Sequence, residues 1–366
     1  MSSATDTLEI QREHAAMGVD FEMYPIPGET YPEGFRFTAR EMVGRRFRNS
    51  RGVETICSCV EHDRVNGPQP HFIADFTKPY PKNVGLVGTD WGVNSIQWRN
   101  MEANLSDMQL TLDNLPQVDT VYCVGSGPSL MRNWRDLLKV DKRNSAIIGC
   151  NELLQYLPAG LVDYYCVLDA ASPTGWHAGL DVSGTTAIFA PIVPPHFKHA
   201  GWRKALWYRI GLDGKLSSYV SNRKGHLTPL IPYFGVGPTQ LQIAWLMRPK
   251  RVVLVGHTYA YDRVDGTIYE HINEPLTEDR WEGILRSIDE FATVDLFGKP
   301  IITDYHILIT MFMTLTSAQY LMDAGVEVIN ATEGGVLRSN PDIPAYRDRP
   351  LFPACRRLAE VVEEAA

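Results

Sequence analysis

The sequence predicts an α/β fold: a mostly parallel sheet with helices on both faces, plus an irregular N-terminal extension. Three observations predict it. From about Asp90, short runs rich in Val, Ile and Tyr alternate with stretches of helical spacing, the pattern of a sheet wound with helices. These runs are apolar throughout, as buried parallel strands are. One of them, Thr120–Val124, leads straight into the turn Gly125-Ser126-Gly127-Pro128-Ser129 and then into a helical pattern. The 366 residues, 44% of them hydrophobic, suffice for one large domain with appendages.

Residues 1–90 stand apart from the rest. They are rich in Pro, Gly and Arg, and only Val53–Val60 alternates as a strand does. Six arginines, Arg36, Arg40, Arg45, Arg46, Arg48 and Arg51, crowd one segment with Phe35, Phe37 and Phe47 between them. This segment reads either as a solvated, salt-bridged surface or as an anion-binding arm for phosphate, nucleic acid or an acidic partner. Next, Ile96, Met101, Leu105, Met108, Leu112 and Leu115 recur at helical spacing, predicting an amphipathic helix over Val93–Leu115. Strands are expected at Thr120–Val124, Ala146–Gly149, Tyr164–Leu168, Ala187–Ile192, Ala205–Arg209, Val252–Val255 and Val326–Ile329. Helices are expected at Leu130–Leu138, Pro238–Met247, Glu278–Ala292 and Asp304–Ala324. The wound domain is thus expected over residues 91–340. A tail, 341–366, carries a short polar helix from Cys355.

The formal net charge of −8 removes a whole-protein positive field for nucleic acid and leaves only a local patch. The first twenty residues contain Glu9, Arg12 and Glu13 and no apolar run, so no secretory signal is read. The most apolar window, Ile307–Met322, is interrupted by Thr310, Thr314, Thr316, Ser317 and Gln319 and reads as a buried helix, not a bilayer span. A cytoplasmic location is therefore expected. Of six cysteines, Cys123, Cys150 and Cys166 fall in strand runs as small hydrophobes, and no disulfide framework is expected. Cys57 and Cys59, with His62 nearby, form half a metal site with no second ligand pair at zinc-finger spacing, so no metal site is assigned. Trp202 and Trp207 read as exposed aromatics of an acceptor cleft or a subunit interface, and oligomeric state stays open.

Ligands in such sheets sit at the carboxyl ends of strands, and three strand ends carry chemistry. The first is the Gly125–Ser129 turn. Its glycines let backbone approach closely, Pro128 suits a first helical turn, Ser126 or Ser129 can cap free N–H groups, and a helix start attracts anions. The alternative is a plain tight connection. No lysine follows as in a phosphate-binding P-loop, and Leu130 stands where a dinucleotide fingerprint needs its third glycine. The second is Gly149-Cys150-Asn151, whose amide suits a ribose hydroxyl, a base edge or a phosphate, or else caps the next helix. The third is Val167-Leu168-Asp169, a strand ending in a carboxylate that either binds ligand or caps a loop.

In this order, Gly-Ser-Gly-Pro-Ser-Leu, Gly-Cys-Asn and Val-Leu-Asp resemble the motility accessory factor and 6-hydroxymethylpterin diphosphokinase-like family. They are also similar to bacterial sialyltransferases that use CMP-sialic acid. Phe234-Gly235-Val236-Gly237-Pro238-Thr239, Val252 to Tyr261, Tyr269-Glu270-His271 and Val328 to Gly335 follow in the family's order, across roughly Asn94 to Ser339. Residues 1–90 are not covered. The resemblance implies a Rossmann-like fold and transfer from a nucleotide-activated donor: glycosyl transfer from a CMP-linked sugar in some members, diphosphoryl transfer from ATP in others. With it, Gly125, Ser126, Gly127, Pro128, Ser129, Asn151, Asp169, Gly235, Gly237 and Thr239 are expected on the nucleotide, and His257, Asn330, Thr332 and Glu333 on the substrate; for Asn330 and Glu333, past the last strand, the alternative is turn formation with Gly334-Gly335. Two departures are visible. Thr258, preceded by His257, stands where the family has an aspartate, and Ser126 replaces the asparagine of the sialyltransferase turn.

Transfer from a nucleotide sugar requires a stabilised leaving phosphate, a deprotonated acceptor hydroxyl and exclusion of water. His271 suits the general base, because imidazole titrates near neutral pH; otherwise it is a surface loop histidine. Tyr259 and Tyr261 suit the leaving phosphate, as tyrosines do in the sialyltransferases; otherwise they are loop aromatics. The sequence thus reads as a glycosyltransferase with a CMP- or other NDP-sugar donor. The acceptor is a protein or a glycan, and the arginine cluster alone favours modified DNA. An ATP-dependent pterin diphosphokinase-type phosphotransferase and a non-catalytic nucleotide-binding protein are the alternatives. No cofactor is firmly implied, and a Mg²⁺ requirement, for which Asp169, Asp262 and Glu333 are candidates, stays open.

Overall fold

The computed structural model describes residues 46–48, 54–63, 67–74, 95–170, 172, 176–211, 215–231, 235–272, 274–278, 291–294, 300–303, 305–337 and 353–365. The chain divides into two compact units. One contains β1 (Arg46–Arg48), β2 (Glu54–Asp63) and β3 (Gly67–Ala74), an antiparallel sheet with β2 in the middle. The alternating stretch of the extension falls largely in β2. Arg46 and Arg48 fall in β1, while Arg36, Arg40, Arg45 and Arg51 lie outside the described residues.

The other unit opens with α1 (Ser95–Asn104). It continues through β4 (Thr120–Val124), α2 (Leu130–Asn133), β5 (Ser145–Cys150), α3 (Leu153–Tyr156), β6 (Tyr164–Val167), β7 (Thr186–Phe189) and β8 (Lys204–Trp207). After β9 (Arg209–Ile210), α4 (Lys215–Arg223) and β10 (Pro229–Leu230) come α5 (Val236–Leu246) and β11 (Arg251–Val255). Three short strands follow: β12 (Asp262–Val264), β13 (Thr267–His271) and β14 (Glu274–Pro275). Then come β15 (Phe291–Val294), β16 (Pro300–Thr303), α6 (Tyr305–Asp323), β17 (Glu327–Asn330) and α7 (Leu358–Ala365).

Seven of these strands form one sheet in the order β17-β11-β4-β5-β6-β7-β8. All neighbours are parallel, and β4, β5, β6 and β7 are buried along their length. The architecture is the Rossmann-like one the sequence predicts, and every expected strand of the wound domain is present. From β4 the chain steps outward to β8, then returns to add β11 and β17 on the other side of β4. Because parallel crossovers are right-handed, reversing direction moves the connecting helices to the opposite face. On one face α5 packs on β4 and β6 and along α6, which reaches β17; α7 packs against the 3₁₀ segment Trp134–Lys139. The reversal lies between β4 and β11, and such switch points open a crevice at the strands' carboxyl ends.

Local departures have physical causes. The helix expected over Val93–Leu115 stops at Asn104. Asn104 Nδ2 donates to the carbonyls of Pro191 and Val193 at 3.1 and 2.8 Å, and Asn100 Nδ2 to those of Ala170 and Ile192. Met108, Leu112 and Leu115 are still buried after the chain leaves the helix. Phe291 and Ala292, expected at a helix end, lie in β15 and pair antiparallel with β16; residues 279–290 of that helix lie outside the described residues. Trp207 is buried against Phe189, not exposed, and Trp202 stacks on Tyr165. No helix among the described residues is long and apolar enough to cross a membrane.

Candidate functional site

The glycine turn after β4 is stitched to the exit of β11. Gly125 N donates to the Val255 carbonyl at 2.8 Å, and Gly127 N to the Gly256 carbonyl at 2.9 Å. A Cβ on Gly127 would collide with Thr258 Oγ1 and come within 2.5 Å of the Gly256 carbonyl oxygen, so this glycine is required by chain-to-chain approach. Thr258, 1% exposed, completes the junction. Its Oγ1 accepts from Ser129 N at 3.0 Å and donates to Ser129 Oγ at 2.8 Å. A threonine at this position therefore joins the two strand exits through both hydrogen-bonding roles of one hydroxyl. The loop after β17 lies across the junction, with Val336 N donating to the Thr258 carbonyl.

β5 and β6 supply the next part of the floor. Asn151 holds φ 51°, a left-handed conformation that asparagine tolerates better than most residues. Its Nδ2 donates to Ser126 Oγ at 3.2 Å, and its own carbonyl accepts from the Tyr165 hydroxyl. Gln240, buried in α5, ties the strand ends together: its Nε2 donates to the carbonyls of Val124 and Ile148 at 2.9 and 3.0 Å.

The facing wall is the start of α5, where Gly235, Val236 and Gly237 line the cleft. The first N–H groups of a helix have no partner within it, and the helix dipole adds positive potential there. Tyr259, at φ 50°, lies so close to Gly237 that a Cβ there would collide with its hydroxyl. His257 Nε2 sits 3.2 Å from the Cys123 carbonyl, which can only accept, so Nε2 carries the proton. Nδ1 then accepts from the Tyr259 hydroxyl at 3.0 Å, and Thr314 Oγ1 completes the row 2.6 Å beyond. Burial pushes the His257 imidazole down to about 4 and raises the Tyr259 phenol. Both are neutral near pH 7.

A hairpin forms the third side. Asp265 and Gly266, at φ 49° and 86°, make the two-residue turn between β12 and β13, a geometry that Asp-Gly favours. The β13–β14 register shifts between Tyr269 and His271, and such bulges re-aim side chains. Glu270 and His271, neighbours that a regular strand would send to opposite faces, both line the cleft. Their Oε1 and Nε2 are 3.8 Å apart, with the His271 side chain 40% exposed. Just beyond, Ile272 N donates to the Ser126 carbonyl at 2.8 Å. Ile307 and Thr310 of α6 close a cleft of about 220 Å³. Among the described residues, no lysine or arginine lines it.

No family model matches the chain, and no curated protein does. One similar solved structure is the MAf glycosyltransferase from Magnetospirillum magneticum AMB-1. It matches over 75% of this chain and 43% of its own length, at 17% identity and a TM-score of 0.48. The chain thus spans less than half of that protein. Likeness at this level assigns neither reaction nor residues, so the cleft itself must carry the functional reading.

Nine residues singled out in the sequence meet at the cleft: Gly125, Ser126, Gly127, Asn151, Gly235, Gly237, His257, Tyr259 and His271. Pro128 and Ser129 open α2 beneath it. Thr239 Oγ1 donates to the Gly235 carbonyl at 3.2 Å within the first turn of α5. Tyr261 is buried outside the lining, and Asp169 is exposed after β6. Asn330 is buried, its Nδ2 donating to the Leu337 carbonyl and its Oδ1 accepting from Thr332 N. Glu333 Oε1 accepts from Asn133 Nδ2 and from Leu358 N at the start of α7. Asn330, Thr332 and Glu333 thus lie in the brace between β17 and α7. The sequence reading did not assign Cys150, Val236, Gly256, Thr258, Ala260, Glu270, Ile307 or Thr310 to the site. The signal for Glu270 and its hairpin was Val264-Asp265-Gly266-Thr267, an Asp-Gly pair between strand-forming residues.

Proposed function

We propose that this protein is a glycosyltransferase that moves a sugar from a nucleotide-activated donor to an acceptor hydroxyl, with His271 as general base. One observation carries the reading. Six separate segments, at strand or helix ends, converge on a single cleft at the reversal of strand order, where such sheets bind nucleotides. The N–H groups of Gly125, Gly127 and Ser129 are already committed to β11 and its exit. The leaving phosphate is therefore assigned to the start of α5, with Asn151 and Ser126 toward the nucleoside. His271 accepts the acceptor hydroxyl's proton as the new C–O bond forms at the anomeric carbon. The bond from that carbon to phosphate oxygen breaks, and its electrons leave with the phosphate. Residues 91–340 form the catalytic domain in this reading, and the extension contacts the acceptor, a protein or glycan.

The test is a thermal-shift screen of the full chain against CMP, CDP, UDP, GDP and ATP, with and without Mg²⁺. A ligand at about a hundred times its Kd stabilises the native state by about 2.7 kcal/mol. A shift with CMP or another glycosyl-donor nucleotide is expected, retained in His271→Ala while transfer from the matching nucleotide sugar is lost. A shift with ATP and Mg²⁺ alone replaces the proposal with a phosphotransferase. No shift with any nucleotide rejects it.

A further inference from the structure

We propose that Arg132 is a positioning residue for this reaction, clamping the β12–β13 hairpin so that Glu270 and His271 face the cleft; the proposal rests on His271 being the base. Arg132 stands on α2, directly after the glycine turn. Its Nη1 donates to Asp262 Oδ2 at 2.7 Å, and its Nη2 to the Arg263 carbonyl at 3.3 Å. It therefore holds both the side chain and the backbone where β12 begins. Asp262 is further fixed by the Arg263 N–H on Oδ1 at 2.8 Å. At the other end of the hairpin, Ile272 N is bonded to the Ser126 carbonyl. Residues 126–132 thus grip the hairpin at both feet, with Glu270 and His271 next to the second grip.

Gly334 supplies an independent observation. A Cβ there would stand 2.7 Å from Arg132 Nη1, 2.9 Å from Ser129 Cβ and 3.2 Å from Asp262 Oδ2. The loop after β17 therefore packs against the clamp, and a glycine leaves room for the ion pair. The pair's value to global stability is small, because the Arg132 side chain is 37% exposed and solvent screens the charge. What it fixes is the hairpin's placement.

Hydrogen exchange on the full chain reads that placement without a substrate. In Arg132→Met and Gly334→Ala, peptides covering residues 262–272 should exchange about tenfold faster than wild type, while those covering β4 and β11 keep their protection. Arg132→Lys should restore protection in part, since one ammonium cannot reproduce both arms of the guanidinium. With the nucleotide sugar matching the screen above, Arg132→Met should lower kcat about tenfold and leave nucleotide affinity unchanged. It should add nothing further in a His271→Ala background. Wild-type exchange across the hairpin in Arg132→Met overturns the proposal, as does unchanged kcat with a loosened hairpin. Full turnover in His271→Ala, with Arg132→Met still slow, instead removes His271 as the base and is distinguishable from either result.

Discussion

His257 gives the chain a specific sensitivity to acid. It is 3% exposed, and its imidazole is pushed from 6.5 down to about 4, by burial first of all. The unfolded chain carries the ordinary value, so in acid the unfolded state takes up the proton first. The associated stability is intact above about pH 6.5 and is lost as the pH falls toward 4, where the folded protein also protonates. A separation of about 2.5 units corresponds to roughly 3 kcal/mol. His257→Gln removes the titration and can keep the donor to the Cys123 carbonyl. Urea unfolding of both proteins between pH 7.5 and 4 measures the effect: wild type should lose about 3 kcal/mol more than the variant over that range. His177 and His196, also lowered by burial, titrate in the same sense in both proteins and cancel in the difference. Parallel stability curves would refute the assignment of a buried, neutral His257.

Two further substitutions test the junction between β4 and β11. Thr258→Val keeps the shape but removes the acceptor for Ser129 N and the donor to Ser129 Oγ. It should cost about 1–3 kcal/mol for the buried N–H left unpaired, with Thr258→Ser close to wild type in the same denaturant titration. In Gly335→Ala, the new Cβ would overlap the Thr258 carbonyl oxygen and stand 2.5 Å from its carbonyl carbon, at φ 73°. Left-handed strain of roughly 1–2 kcal/mol and overpacking of about 1–3 kcal/mol should lower Tm by several degrees in calorimetry, and an unchanged Tm would mean the loop does not approach Thr258.

The sheet was legible because its strands are short and mostly apolar, and three of them run into Gly125, Asn151 or Gly256. The α1 boundary was not: Met108, Leu112 and Leu115 keep helical spacing and are buried, yet the helix ends at Asn104, whose amide bonds carbonyls nearly ninety positions away. Candidate site residues at strand ends, such as Gly125 and Asn151, were legible because topology alone brings strand ends together. Side-chain direction was not. Nothing local distinguishes Glu333, which reaches back to α7, from Glu270, which a bulge turns into the cleft. The hairpin bearing His271 was readable from Asp265-Gly266, yet its docking depends on Arg132, in a segment 130 positions earlier.

The glycines of this chain divide into two physical groups, and the division bears on where a phosphate can bind. Gly125, Gly127, Gly256, Gly334 and Gly335 each stand where a Cβ would strike a neighbouring segment of the chain. They serve close approach among the β4 turn, the β11 exit and the β17 loop, and the N–H groups of Gly125 and Gly127 are bonded within that contact. Gly235 and Gly237 also meet side chains, Thr310 and Tyr259, but they begin a helix of eleven residues. Its first N–H groups are the ones a helix cannot pair internally. With no lysine or arginine among the described residues on the cleft wall, the proposed function relies on the positive end of α5 to attract the donor phosphate. Gly125-Ser126-Gly127 thus builds the floor of the cleft, and Gly235-Val236-Gly237 begins the helix to which the proposed function assigns the phosphate.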